Sequence, residues 1–203
     1  ETAVPNEIGI RLVDTRNYLI GPASICEFAL PQGVILPTDQ GNVISGNNDD
    51  GILLTLSRFD EIHGNIIGLN AQGTAAIPNG RNGIRATSVV NIDIGSPDLA
   101  DRNIISGNDR SGIRIDTDDF LPLGSQPSGF VFAIPVFVQG NYIGTDITGT
   151  TAIGNALDGV EIEDLASNFI GSGEEGGGNL IAGNDAGVSM TGAGATQNHV
   201  VGN

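Results

Sequence analysis

The apolar positions of this chain come in short alternating bursts, each opened by glycine: Gly9-Ile10-Arg11-Leu12, Gly51-Ile52-Leu53-Leu54, Gly83-Ile84-Arg85-Ala86, Gly112-Ile113-Arg114-Ile115, Gly159-Val160-Glu161-Ile162 and Gly187-Val188-Ser189-Met190. Alternation with period two, bounded by Gly, Asn, Asp or Pro, predicts short β-strands separated by turns. No stretch carries the periodicity of an amphipathic helix.

The bursts are copies of one unit. Gly9, Gly83 and Gly159 open the same tract at spacings of 74 and 76 residues, and a second tract lies inside each copy. Two kinds of segment follow the strands. One ends in Asn-x-Ile-x-Gly-Asn at Asn47, Asn108 and Asn184; the other, Gly64 to Ile77, matches Gly140 to Ile153 nearly column for column. Self-similarity at such a period marks a solenoid or array. About three short strands per coil of roughly 28 to 32 residues predicts an all-β, parallel β-helix of about six coils.

Coils of a β-solenoid stack at about 4.8 Å, so equivalent residues form columns. Ile10, Ile52, Ile84, Ile113, Val160 and Val188 are expected to form one inward column, and Leu12, Leu54, Ala86, Ile115, Ile162 and Met190 the next. Glycines are expected at turns requiring positive φ. Asn47, Asn108 and Asn184 are expected at corners, adopting the left-handed conformation and forming amide ladders.

Through Asn-x-Ile-Ser-Gly-Asn-x-x-x-Gly-Ile, which begins at Asn42 and Asn103, and Gly-Asn-x-Ile-Gly-Thr-Asp-x-x-Gly-Thr, which begins at Gly140, the chain resembles the right-handed parallel β-helix repeat proteins with the pectin-lyase-like fold. The resemblance runs from about residue 8 to the last residue and implies a right-handed coil. It implies no single activity, because that fold hosts lyases, hydrolases, epimerases, phage tailspikes and non-catalytic surface proteins. The polygalacturonase-like motif set is incomplete: His63-Gly64 precedes Asp118-Asp119 and the chain has no lysine. The epimerase Asp-Pro-His signature is absent, and Arg114 beside Asp116 is the one pairing of the type a pectate-lyase-like site needs.

Charge narrows the partners. The net charge is −16, the eight basic residues are all arginine, and the 89 residues after Arg114 hold eleven carboxylates and no arginine. Nucleic acid and anionic membranes are therefore disfavoured as partners, as is acidic polysaccharide on the C-terminal half unless divalent cations bridge. No apolar run reaches the roughly 18 residues of a membrane span. A single cysteine, Cys26, precludes an intramolecular disulfide. With no Trp and only Tyr18 and Tyr142, large sugar-stacking platforms are scarce. The unbroken repeat reads as one domain over residues 1–203. It is expected to be a segment of a longer extracellular or cell-surface protein, with flanking repeats or neighbouring copies covering its ends.

Two insertions interrupt the period, at 22–41 with Cys26, Glu27 and Phe28, and at 117–139 with Asp118, Asp119, Phe120, Phe130, Phe132 and Phe137. Asp116, Asp118 and Asp119 are candidate Ca²⁺ ligands through their oxygens; the alternative is a loop packed over the solenoid flank. Stacking should bring Asp49, Arg81 and Arg110 into one outward column and Leu53, Arg85, Arg114 and Glu161 into its neighbour. Arg81, Arg85, Arg110 and Arg114 are then candidate ligands for carboxylate or sulfate groups, the alternative being an ion-pair network running from Asp49–Arg81 to Arg114 with Asp116 or Glu161. Three functions fit: a non-catalytic structural or adhesive module, a polysaccharide lyase or hydrolase, and a calcium-stabilised ligand-binding module.

Overall fold

The computed structural model describes residues 5–22, 41–117 and 135–203. Cys26, Glu27, Phe28, Asp118, Asp119, Phe120, Phe130 and Phe132 lie outside them. The first two coils contribute β1 (Ile10–Val13), β2 (Leu19–Ile20), β3 (Val43–Ile44), β4 (Ile52–Thr55), β5 (Glu61–Ile62) and β6 (Ile66–Ile67). The next two contribute β7 (Ile84–Thr87), β8 (Ile92–Ile94), β9 (Ile104–Ile105), β10 (Ile113–Asp116), β11 (Val136–Val138) and β12 (Tyr142–Ile143). β13 (Val160–Glu163), β14 (Phe169–Ile170), β15 (Leu180–Ile181), β16 (Val188–Thr191) and β17 (His199–Val200) complete the series.

Every third strand stacks on its equivalent. The first sheet runs β1-β4-β7-β10-β13-β16, the second β2-β5-β8-β11-β14-β17 and the third β3-β6-β9-β12-β15, all in parallel register. The protein is a parallel β-helix. Both expected inward columns of the first sheet occur, with Ile10, Ile52, Ile84, Ile113, Val160 and Val188 paired successively, and Leu12 through Met190 beside them. Ile52, Ile84, Ile113 and Val160 are fully buried against inward residues of the other sheets such as Ile62, Ile94 and Ile143. Burial of such a side chain contributes about 1.5–3 kcal/mol. Small, branched residues suit an interior in which each layer must fit the next at one fixed spacing.

The corners are held by amides. Asn42 donates its backbone N–H and its Nδ2 to Oδ1 of Asn65, and the same pair of bonds repeats from Asn65 to Asn103, Asn141, Asn179 and Asn203. A second ladder joins Asn47, Asn79, Asn108, Asn155 and Asn184. The side-chain amides also donate to strand carbonyls, as Asn103 Nδ2 does to the Ile62 carbonyl at 2.7 Å. The expectation that Asn47, Asn108 and Asn184 take the left-handed conformation is corrected. The preceding glycines Gly46, Gly107 and Gly183 take it, with φ of 73°, 71° and 78°. A ladder needs the amide held in one regular orientation, so the positive φ falls to the residue without a Cβ.

Between the first and second sheets the fully described turns use non-glycine residues at positive φ, among them Asn17, Phe59 and Asn91 with φ of 60°, 56° and 53°. The matched segments at 64–77 and 140–153 form hairpins closed by the Leu69–Ala76 and Thr145–Ala152 bridges. Asn70 Oδ1 accepts the Thr74 N–H in one, and Asp146 Oδ1 accepts the Thr150 and Thr151 N–H groups in the other. Burial pushes the Asp146 carboxyl up, but the Thr151 and Thr150 amides and the Thr148 hydroxyl together hold it below the usual carboxylate range. The Thr-Asp-x-x-Gly-Thr motif is thus an Asx-type turn. The hairpins dock on each other through the Ile147 N–H to the Gly73 carbonyl at 2.9 Å. No helix among the described residues is long and apolar enough to cross a membrane.

Candidate functional site

Three outer faces present chemistry, and each is set by which residues the parallel register superimposes. On the first sheet, Leu53, Arg85, Arg114 and Glu161 stack in one column, as expected. Asp49, Arg81 and Arg110 follow one another along the adjacent turn, where the Arg81 N–H bonds the Asp49 carbonyl and the Arg110 N–H the Arg81 carbonyl. The four candidate arginines do share one surface.

That surface is largely self-compensated. Arg85 places Nε and Nη2 at 3.1 and 3.0 Å from Asp116 Oδ2, and Arg114 Nε reaches the same oxygen at 2.8 Å. Thr87 Oγ1 donates to the other Asp116 oxygen at 2.6 Å, so this nearly buried carboxylate is fully engaged. Arg114 turns its remaining nitrogens to Glu161 and Glu163, and Ser111 Oγ donates to Glu161 at 2.8 Å. Burial alone would lower the Arg114 pKa, but Asp116 and Glu161 hold it above the ordinary value. Arg81 Nε lies 3.0 Å from Asp49 Oδ1, an ion pair angled too poorly to be a hydrogen bond. Arg81 and Arg110 are exposed, and Arg110 alone of the four has no side-chain partner among the described residues. Asp116 is thereby committed to arginines, while Asp118 and Asp119 lie outside the described residues. Among those residues no group of three or more His, Cys, Asp or Glu side chains is placed to hold a metal ion.

The second sheet carries a column that the sequence did not disclose. Its outward residues are Leu19, Glu61, Asp93, Phe137, Phe169 and His199. Phe137 stacks on Phe169 at 5.4 Å and 16°, and Phe169 on His199 at 4.7 Å and 4°. Phe169 is covered on both faces by its neighbours, so this inner ring offers a sugar no stacking surface. Glu61 and Asp93 occupy adjacent rungs. Burial raises the Asp93 pKa, Glu61 adds to the rise, and His63 opposes it. His63 Nδ1 stands 3.6 Å from Asp101 Oδ1, Ser96 Oγ donates to Asp101 at 2.6 Å, and His63 Nε2 is buried without a partner.

The third sheet's outward column is apolar, with Val43, Ile66, Ile104, Tyr142 and Leu180 in succession. Val43, Ile66 and Ile104 of this column form the floor of a cavity of about 300 Å³, walled by Ala71 and Ile147 from the hairpins and by Leu99 and Arg102 from a 3-10 turn. Arg102 lies over the Tyr142 ring at 4.1 Å and donates Nε to the Gly140 carbonyl at 2.9 Å.

No protein-family model, curated protein or solved structure matches the chain. Function therefore rests on these faces alone. The first offers balanced charge and the second a carboxylate pair with a histidine nearby. The third offers an apolar cleft beside a cation. The first was readable because Arg85 and Arg114 sit in the repeat tract itself. The other two come from strands of two or three residues, too short to show alternation, and their only sequence signals were His63, Phe137 and the matched hairpins.

Proposed function

We propose that this chain is a non-catalytic structural or adhesive β-solenoid module of an extracellular or surface protein, related to the pectin-lyase-like repeat proteins by the tracts that begin at Asn42, Asn103 and Gly140. The observation that carries this reading is the closure of the arginine face by Asp116, Glu161 and Glu163 above two uninterrupted amide ladders. Side chains that satisfy one another stiffen a rod and leave few groups for chemistry. The reading is tested by assaying the purified chain against a panel of acidic and neutral polysaccharides, with and without Ca²⁺. Absence of turnover, together with a rod-shaped scattering profile, supports it, and measurable chain cleavage overturns it.

A second reading, a polysaccharide lyase or hydrolase, is favoured by Glu61 and Asp93 on adjacent rungs. The strand spacing of about 4.8 Å approaches the roughly 5–5.5 Å carboxylate separation of retaining glycosidases. Cleavage lost in both Glu61→Gln and Asp93→Asn would establish it. The calcium-stabilised reading stands on Asp116, Asp118 and Asp119; a melting temperature unchanged by EDTA removes it.

A further inference from the structure

We propose that the cleft on the third sheet is a binding site for a small aliphatic carboxylate, of the size and chemistry of a medium-chain fatty acid. The inference is independent of the structural reading above.

The floor and walls argue for an aliphatic body. Val43, Ile66 and Ile104 come from successive rungs, and Ile147 and Leu99 close the sides. Leu99 is 68% exposed, Val43 47% and Ile147 44%, so branched side chains converge on a cavity that no other apolar side chain among the described residues covers. The wall is built in place rather than left to a free loop, because the Ile147 N–H is bound to the Gly73 carbonyl and an added Cβ at Gly73 would lie 2.6 Å from the Ile147 Cβ.

The polar inventory argues against a sugar. Asn65 is the only uncharged polar side chain in the lining, and its atoms are all spent. Oδ1 accepts from Asn42, and Nδ2 donates to the Ile20 and His63 carbonyls and to Asn103. A ligand rich in hydroxyls would leave them unmet, which costs affinity.

The single charge in the lining selects the head group. The chain holds 24 carboxylates against eight arginines, yet no carboxylate among the described residues pairs with Arg102. Its neighbour Asp101 is occupied by Ser96 and His63. The Tyr142 ring and the Gly140 carbonyl fix the plane of the guanidinium and use its face and Nε, which leaves the two terminal amino groups for a carboxylate. A stacked, planar guanidinium is well suited to bidentate capture of such a group. At about 300 Å³ the cavity is at the low end of the roughly 300–1,000 Å³ of ligand sites, which fits one short chain and not a polymer.

Calorimetric titration of the folded chain with octanoate, octylammonium and glucuronate tests this. Saturable octanoate binding is expected, with octylammonium and glucuronate much weaker. Arg102→Gln should weaken octanoate by about tenfold or more. Leu99→Asn, at an exposed position, should also weaken it, and unchanged melting curves would show that both variants still fold. Failure of octanoate to bind the parent chain overturns the proposal, as does equal or tighter binding of octylammonium or glucuronate, or octanoate binding unaltered by both substitutions.

Discussion

The outward columns of the first and third sheets have the same backbone geometry and opposite chemistry. On the first, Arg85 and Arg114 find Asp116, Glu161 and Glu163 within one or two rungs, and the charges close on themselves. On the third, Val43, Ile66 and Ile104 face outward, and among the described residues the Arg102 guanidinium meets only a ring and a carbonyl. A column that satisfies itself contributes to architecture. A column left apolar beside an unpaired cation retains free energy that a ligand can collect. The lesson is that in a solenoid the outer faces are independent: a rung fixes position, and residue choice on each face decides whether that position supports the rod or serves a site.

The sharpest way to break the comparison is Asp116→Ala, which leaves Arg85 and Arg114 crowded around a missing, nearly buried carboxylate. A loss of about 3 kcal/mol is expected in denaturant unfolding; a loss near zero would make the first face no more compensated than the third. Phe59→Asn is expected to stabilise by about 1 kcal/mol, because Phe59 holds φ of 56° where the equivalent positions are Asn17 and Asn91. The gain would show that some columns still carry strain between the sheets. Asp93→Asn probes an uncompensated charge of the other sign on the second sheet. The Asp93 pKa is raised in the folded chain, so its contribution is present in full below the ordinary carboxylate value and is lost as pH rises through the raised one. The variant should therefore melt higher than the parent at neutral pH, and the two should converge in acid. Leu99→Asn should change stability by less than about 0.5 kcal/mol while altering octanoate titration, separating the ligand role of the third face from any structural one.

Much of the fold was legible because its determinants repeat. Ile52, Ile84 and Ile113 announce their column by following glycine in each copy, and the ladder at Asn47, Asn108 and Asn184 was visible in the shared Gly-Asn ending. Asn79 and Asn155 belong to the same ladder but were hidden, since the hairpins displace them from that motif. The left-handed assignment at the asparagines failed for a related reason: the motif contains both Gly and Asn, and only the direction of the amide hydrogen bonds decides which one bends. The first-sheet arginine surface was legible from the tract, whereas the Glu61–Asp93 pair and the Arg102 cleft were not.

What the sequence determined by itself was the coil, its inward columns and the neighbours along the first sheet, because these depend on period and alternation, which are properties of the chain. Tertiary structure alone decided the rest. Glu61 meets Asp93, Phe169 meets His199, and Ile147 closes over Gly73 across 30 residues or more. Such contacts depend on the length of every intervening turn and hairpin, so a one-residue change in any of them would move a side chain to the opposite face.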